Sequence, residues 1–324
     1  MKIIFVCPLI GFLKYYGPII ELIKDEKNIE LIFAVKKDSR KHNSLYFEEN
    51  YNKFLEILDL YFNSPEIINI IDTTEKIKCD ILFTVTGLHN QKFDYEKHYA
   101  IQHSYDNLVH GIYSDNKTIH LCSNEIYGLQ LQSKFNTNYI IPPVPVSLSN
   151  METQIEFAKK IISTDKKIIT IFFPHKGSIR LVRSVVKFLK YQDYFVIIKQ
   201  VRKSQAVPKN IGADLIVFDD IWYPSESMFF PLISEIAIGF GSAIYIDLSE
   251  VGINIIDNAI PKYARLGKSH YIKPNHKNYW YFDKKFYRNT INTINQISSS
   301  NKPINLKIIP KEKLKQFYID LLKI

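Results

Sequence analysis

The sequence predicts an α/β protein built from two doubly wound domains. Short apolar segments alternate with amphipathic stretches in two successive series, the pattern of parallel strands joined by helices. Between the two series lies Pro142-Pro143-Val144-Pro145, followed by Ser147 and Ser149. Prolines at this density favour extended chain and cannot continue a helix. A chain of 324 residues has room for two such domains, each with its own core, and the expected division is 1–143 and 144–324.

In the first series, Lys2–Cys7 reads as a buried strand and Pro18 as the first turn of a helix carrying Ile19, Ile20, Leu22 and Ile23. Glu30–Val35 is the next strand, and Leu45–Phe62 has helical spacing. Further strands are expected at Ile67–Ile71, Asp80–Val85, Tyr99–Gln102, Thr118–Ser123 and Tyr139–Ile141, with Ser123 or Asn124 capping a short helix. The second series runs through a helix from Met151, a strand at Lys167–Phe173, a helix from Ile179, and strands at Tyr194–Val201 and Asp214–Phe218. Ile221–Asn258 follows as loop, short helix, buried strand, tight turn, helix and strand. The tail contains Tyr279-Trp280-Tyr281-Phe282 and two helical stretches, which are expected to pack back across the face between the domains.

Composition narrows the function classes. Hydrophobic residues make up 46% of the chain, so it is globular and not disordered. The net charge of +9 suits a phosphate-bearing ligand, an anionic membrane face or nucleic acid. The lysines are scattered with no basic block, which ranks nucleic acid last; ordinary solvated lysine explains most of the excess. Cys7, Cys79 and Cys122 form no CxxC pair and read as reduced core residues of a cytoplasmic protein. The apolar run in MKIIFVCPLIGF is short and lacks a small-residue cleavage site, so it reads as a strand and not a leader. No run reaches the roughly 18 apolar residues of a membrane span. There is no GxGxxG for a nicotinamide cofactor, no GxSxG elbow, and no His/Cys/Asp cluster with metal-ligand spacing. No metal and no bound cofactor are therefore expected.

The groups that carry chemistry fall at strand ends, where doubly wound sheets bind ligands. His103 follows a strand in His103-Ser104-Tyr105-Asp106; a neutral imidazole can take a proton from a hydroxyl, and Asp106 can orient it. The plainer reading is a histidine capping a strand. His175-Lys176-Gly177-Ser178 is a Gly-containing turn opening a helix, with a hydroxyl and two candidate cations for a diphosphate. Lys199 lies near a strand end and can neutralise a phosphate. Gly241-Ser242 opens a helix after a strand, aiming backbone N–H groups and a hydroxyl at one spot; otherwise Ser242 is an ordinary N-cap. Glu226 can accept the hydroxyls of a ribose beside Ser225, or Ser225 simply caps the helix and Glu226 favours its dipole.

This layout resembles the GT-B glycosyltransferase architecture of two facing Rossmann-like domains with C-terminal helices packing across. More narrowly it is similar to the CDP-glycerol glycerophosphotransferase-like enzymes of teichoic-acid and capsule synthesis. In that group a His-Gly motif supplies the base; IQHSYDN places His103 there, with Ser104 in place of the glycine. The family's Lys-x-His-Pro strand end is represented by Lys199 in IIKQVRK, without the His-Pro. Its Asp-x-Ser-Ser-like turn is represented by Gly241-Ser242 in IAIGFGSAIYID, without the leading Asp. The resemblance implies a metal-independent transfer of a glycosyl or glycerol-phosphate group from a CDP- or UDP-linked donor to a hydroxyl of a glycan or lipid-linked acceptor. It also implies peripheral contact with an anionic membrane. The alternatives are a non-hydrolysing sugar-nucleotide 2-epimerase on the same layout, and a non-catalytic nucleotide-sugar-binding module.

Overall fold

The structure is a computed structural model describing all residues except 36–46, 71, 73, 86–91, 103–114, 174–178, 201–206, 219–222, 241–243, 259–275, 283–284, 301–303 and 324. It divides into two compact units, Met1–Asn150 with Ile309–Ile324, and Met151–Ile308.

The first unit carries β1 (Lys2–Val6), α1 (Leu13–Ile23), β2 (Glu30–Val35), α2 (Phe47–Phe62), β3 (Glu66–Asn69), β4 (Ile77–Val85), β5 (Phe93–Ile101), β6 (Thr118–Leu121), α3 (Glu125–Phe135) and β7 (Asn138–Ile140). All seven strands are parallel, in the order β3-β2-β1-β4-β5-β6-β7. The two sheet faces differ in chemistry. One is aromatic: Phe5 stacks on Phe83 at 4.9 Å, Phe83 on Tyr99 at 5.3 Å, and Phe33 meets Phe54 of α2 edge-on. Tyr16 of α1 packs on Phe5 and donates its hydroxyl to the Val6 carbonyl at 2.7 Å. Such ring pairs add to the stabilisation from burying their area.

Helix α1 begins at Leu13, with Pro18 inside it and not in its first turn. An interior proline forfeits one i→i−4 bond. Here Leu13, Tyr16, Ile19, Ile20 and Ile23 are all fully buried on one stripe, and burying side chains of this size, at roughly 1.5–3 kcal/mol each, outweighs that loss. Asn124 is the cap of α3: its Oδ1 accepts from the Tyr127 N–H at 2.9 Å.

The second unit carries α4 (Met151–Ile161), β8 (Ile168–Phe172), α5 (Ile179–Tyr191), β9 (Phe195–Gln200), β10 (Leu215–Phe218), α6 (Glu226–Leu232), β11 (Ile236–Gly239), α7 (Ile244–Glu250), β12 (Asn254–Asn258), β13 (Tyr279–Phe282) and α8 (Phe286–Ser299). Its six parallel strands run β10-β9-β8-β11-β12-β13. One sheet face, including Ile169, Ile171, Val196, Ile198, Ile236, Ile238 and Ile256, is covered by α5 and α8. The other, including Ile197, Phe195 and Val217, packs against α4 and α6 through Ala158, Phe229 and Phe230.

The division falls at Asn150/Met151, not at 143/144, and the last helix, α9 (Lys311–Leu322), returns to the first unit. The proline segment is structured and not a free linker. Val144, Val146 and Leu148 are buried, Ser149 Oγ lies 2.9 Å from the Tyr318 hydroxyl of α9, and Asn150 donates to Glu21 of α1 at 2.9 Å. Tyr99 of β5 donates to the Leu321 carbonyl at 2.8 Å, tying α9 down. Helix α8, by contrast, stays with the second unit, on α5, β12 and β13.

Candidate functional site

In the second unit, β8 is followed on one side by β9 and β10, while β11, β12 and β13 extend the sheet on the other. The topological switch point therefore lies between β8 and β11. Ligands of doubly wound sheets bind outside the carboxyl ends of the strands at such a point. The chain leaves β8 at Phe172 and β11 at Gly239, the ends of neighbouring strands. The two expected phosphate-binding turns follow these ends in sequence. His175, Lys176, Gly177, Ser178, Gly241 and Ser242 themselves lie outside the described residues, as do His103 and Asp106.

Three of the expected site residues, Lys199, Ser225 and Glu226, are described, and all three are buried. Lys199 sits one residue from the end of β9, beside Phe172 and Val217, and is 2% exposed. Alternation along the strand gives it the same face as Phe195 and Ile197, the face covered by α6. Helix α6 opens at the carboxyl edge of that face, so its first residues, Ser225 and Glu226, lie there too, 5% and 4% exposed. Ser225 occupies the N-cap position, yet its side chain makes no capping hydrogen bond. The capping explanation for Ser225 therefore finds no hydrogen bond to rest on.

The structure adds residues that the sequence reading passed over. Tyr245, in the first turn of α7, lies against Gly239 and Phe172, and its hydroxyl accepts from the Phe240 N–H at 3.2 Å. A methyl group on Gly239 would overlap that hydroxyl, so the glycine is required by close approach. Tyr245 thus holds the backbone at the residue preceding 241–243. Asp247 of α7 and Asp257 of β12 are also buried, and the Tyr279 hydroxyl donates to Asp257 Oδ2 at 2.7 Å. On the opposite face Asn258 accepts from Thr290 of α8 and donates to the Gly239 carbonyl, both at long range (3.3 and 3.4 Å). A carboxylate inside an otherwise apolar run, as in IYIDLSE and NIIDN, was the available signal for Asp247 and Asp257. Among the described residues, no group of three or more His, Cys, Asp or Glu is placed to hold a metal ion.

In the first unit the switch point lies between β1 and β4. The strand preceding His103 is β5, next to β4. The middle of that strand carries a buried polar group. His98 Nε2 lies 2.8 Å from Thr84 Oγ1 and its Nδ1 2.9 Å from Thr118 Oγ1. Thr118 donates its one hydroxyl proton to Asp115, so it accepts from Nδ1–H, and Thr84 donates to Nε2. This is the neutral imidazole with both nitrogens satisfied. Burial, partly opposed by Asp115, pushes the His98 pKa down to about 4. His120 in β6 is fully buried, as expected for a core-facing histidine, and burial lowers its pKa to about 4 as well. Among the described residues neither of its ring nitrogens has a hydrogen-bond partner. Burial pushes the Cys79 and Cys122 thiols up to about 12 and holds the Cys7 thiol well above its usual value, so all three are quiet core thiols.

No family model matches the chain, and no curated protein matches it in sequence. Its fold is nevertheless shared with solved structures. UDP-GlcNAc 2-epimerase from Neisseria meningitidis, bound to UDP-GlcNAc, is similar at a TM-score of 0.60 and 12% identity over 100% of both chains. The wall teichoic acid polymerase TagF is similar at 0.56 and 11%, over 100% of this chain and 88% of that one. The E. coli heptosyltransferase WaaC with ADP-2-deoxy-2-fluoro heptose is similar at 0.50 and 9%, over 93% and 100%. At these identities the likeness establishes the fold alone: the chain has the GT-B-type fold of two Rossmann-like units, one that glycosyltransferases and sugar-nucleotide epimerases share.

Proposed function

We infer that the protein is a transferase that takes a nucleotide-activated donor in its second unit. The observation that carries this reading is the carboxyl edge of the second sheet. Lys199, Ser225 and Glu226 are each buried at that edge, and two Gly-Ser segments follow the strands of the switch point in sequence. Lysine and backbone N–H groups suit a diphosphate, and a carboxylate suits a ribose. Three proteins of similar fold were solved with UDP-GlcNAc, CDP-glycerol and an ADP-heptose analogue, which supports a nucleoside-diphosphate-linked ligand.

His103 is the proposed base, oriented by Asp106. It removes the proton of the acceptor hydroxyl as that oxygen bonds to the transferred group, while the bond to the leaving phosphate breaks. Lys199, His175, Lys176, Gly177, Ser178, Gly241 and Ser242 are proposed to hold the phosphates and stabilise the departing negative charge. With a sugar nucleotide a glycosyl group moves and a nucleoside diphosphate leaves. With CDP-glycerol, glycerol phosphate moves and CMP leaves.

The epimerase reading gains from one observation. It needs acidic groups near the sugar, and the structure adds the buried Asp247 and Asp257 to Glu226 in the same unit. Incubation with CDP-glycerol and a panel of nucleotide sugars, with and without hydroxyl acceptors, separates the two. Transfer requires the acceptor and releases free nucleotide. A sugar nucleotide inverted at C-2 with no acceptor would establish the epimerase instead, and binding without turnover would leave a binding module.

A further inference from the structure

Helices α5 and α8 lie side by side over one face of the second sheet, held there by Val182, Val185, Val186 and Leu189 from α5 and Ile294 and Ile297 from α8. Their outer surfaces face solvent and are one-sided in charge. Helix α5 carries Arg180, Arg183, Lys187 and Lys190, and α8 carries Arg288; neither contains a carboxylate. Arg180, Arg183, Lys187 and Arg288 are all exposed. Of the carboxylates near these helices, Asp214 is taken by Lys190 at 2.6 Å and Asp193 by Lys166 at 2.5 Å, while the exposed Asp165 lies toward the C-terminal end of α8, beside Asn295 and Ser299. Among the described residues no acid pairs with Arg180, Lys187 or Arg288.

Exposed apolar and aromatic groups are interleaved with these cations. Tyr191 is 85% exposed, Tyr287 45% and Ile179 40%. Arg180, Ser184, Lys187 and Tyr191 fall at i, i+4, i+7 and i+11, a single stripe of the helix roughly 16 Å long at 1.5 Å per residue. A soluble polyanion would engage the cations and leave Tyr191, Tyr287 and Ile179 in water. A bilayer surface uses both classes: anionic headgroups meet the Arg and Lys side chains, and amphipathic rings settle at headgroup level.

We propose that the α5–α8 face of the second unit is a docking surface for an anionic phospholipid bilayer. This rests on the charge and exposure of two helices, and its success or failure leaves the transfer reading untouched. No helix among the described residues is long and apolar enough to cross a membrane, so attachment here is to the surface.

The test is co-sedimentation of the full chain with vesicles of phosphatidylcholine alone, or of phosphatidylcholine mixed with phosphatidylglycerol. Wild type should bind the anionic vesicles, bind the neutral ones far less, and release as salt rises. Replacing Arg180, Arg183 and Lys187 together by Gln should weaken binding by about 100-fold, given the usual contribution of each cation near such a surface. Tyr191→Ser should weaken it several-fold with no change of charge. The charge-matched control K159Q/K160Q/K313Q, at exposed positions on α4 and α9, should bind nearly as wild type. An equal loss in the control would overturn the proposal, because net charge and not this face would be responsible. Equal binding to neutral vesicles, an unaffected Tyr191→Ser variant, or binding to a soluble polyanion but not to vesicles would overturn it equally.

Discussion

His98 and His120 show how single buried side chains tie stability to pH. Both stay neutral in the fold because burial holds their pKa near 4, against about 6.5 in an unfolded chain. Between pH 6.5 and 4 the unfolded state therefore binds a proton at each histidine that the folded state does not. Their contribution is intact above pH 6.5 and is lost as pH falls toward 4, at about 1.4 kcal/mol per pH unit for each histidine. Urea midpoints should fall between pH 7 and pH 5, and His120→Leu should fall less steeply. An unchanged slope in that variant would show that His120 does not titrate between the two states. Gly239 supplies a second prediction at this scale. Gly239→Ala should displace the Tyr245 ring and disturb the backbone leading into 241–243, weakening nucleotide binding. Tyr245→Phe should act more mildly, because it removes only the hydroxyl that receives the Phe240 N–H, a loss of about 1 kcal/mol. Calorimetry on both variants would check the order; a Gly239→Ala protein with wild-type affinity would separate this contact from the site.

At the scale of elements, helix α9 is expected to be part of the first unit's core and not an accessory. Leu314, Tyr318 and Leu322 are buried, and α9 is held to Ser149 and Tyr99 by hydrogen bonds. Deleting residues 309–324 should lower the unfolding temperature of the first unit, with hydrogen exchange rising in α1 and β5 and not in β8–β12. Exchange rising only in the second unit would contradict the assignment. The elements also show what the sequence made legible. Almost wholly apolar stretches such as IITIF and IAIG announce their strands, because parallel strands covered on both faces are near-continuously apolar. Strand β5 is legible only at its end, since Asp94, Glu96 and Lys97 obscure a nine-residue strand whose first half is partly exposed. Pro18 reads as a helix start in the sequence, yet α1 begins five residues earlier, at Leu13, because tertiary burial accommodates an interior proline. The sequence implies that the tail packs back, and α9 does return to the first unit; that α8 does not was not legible, since it depends on contacts between residues as distant as Tyr194 and Ser298. In the proposed site, Lys199, Ser225 and Glu226 can be placed from the sequence because strand ends and helix starts are local signals. Tyr245 was not, because its partner Gly239 is met only in the folded chain.

At the scale of the whole molecule, the two Rossmann-like units carry different parts of the proposed chemistry: the base follows β5 in the first, and the donor groups belong to the second. Changing one should therefore leave the other's function standing. His103→Ala should reduce turnover by about 10²–10⁴-fold while donor affinity stays near wild type. The most direct test of the central claim is a calorimetric titration of the intact protein with the nucleotide that the donor panel selects. The account expects saturable binding in wild type and in His103→Ala. In Lys199→Met, and in Ser242 changed to a bulky residue, it expects affinity lower by about 10–100-fold, the usual cost of losing one charge-assisted phosphate contact. Wild-type affinity in both second-unit variants would contradict the assignment of the donor site to the carboxyl edge of that sheet.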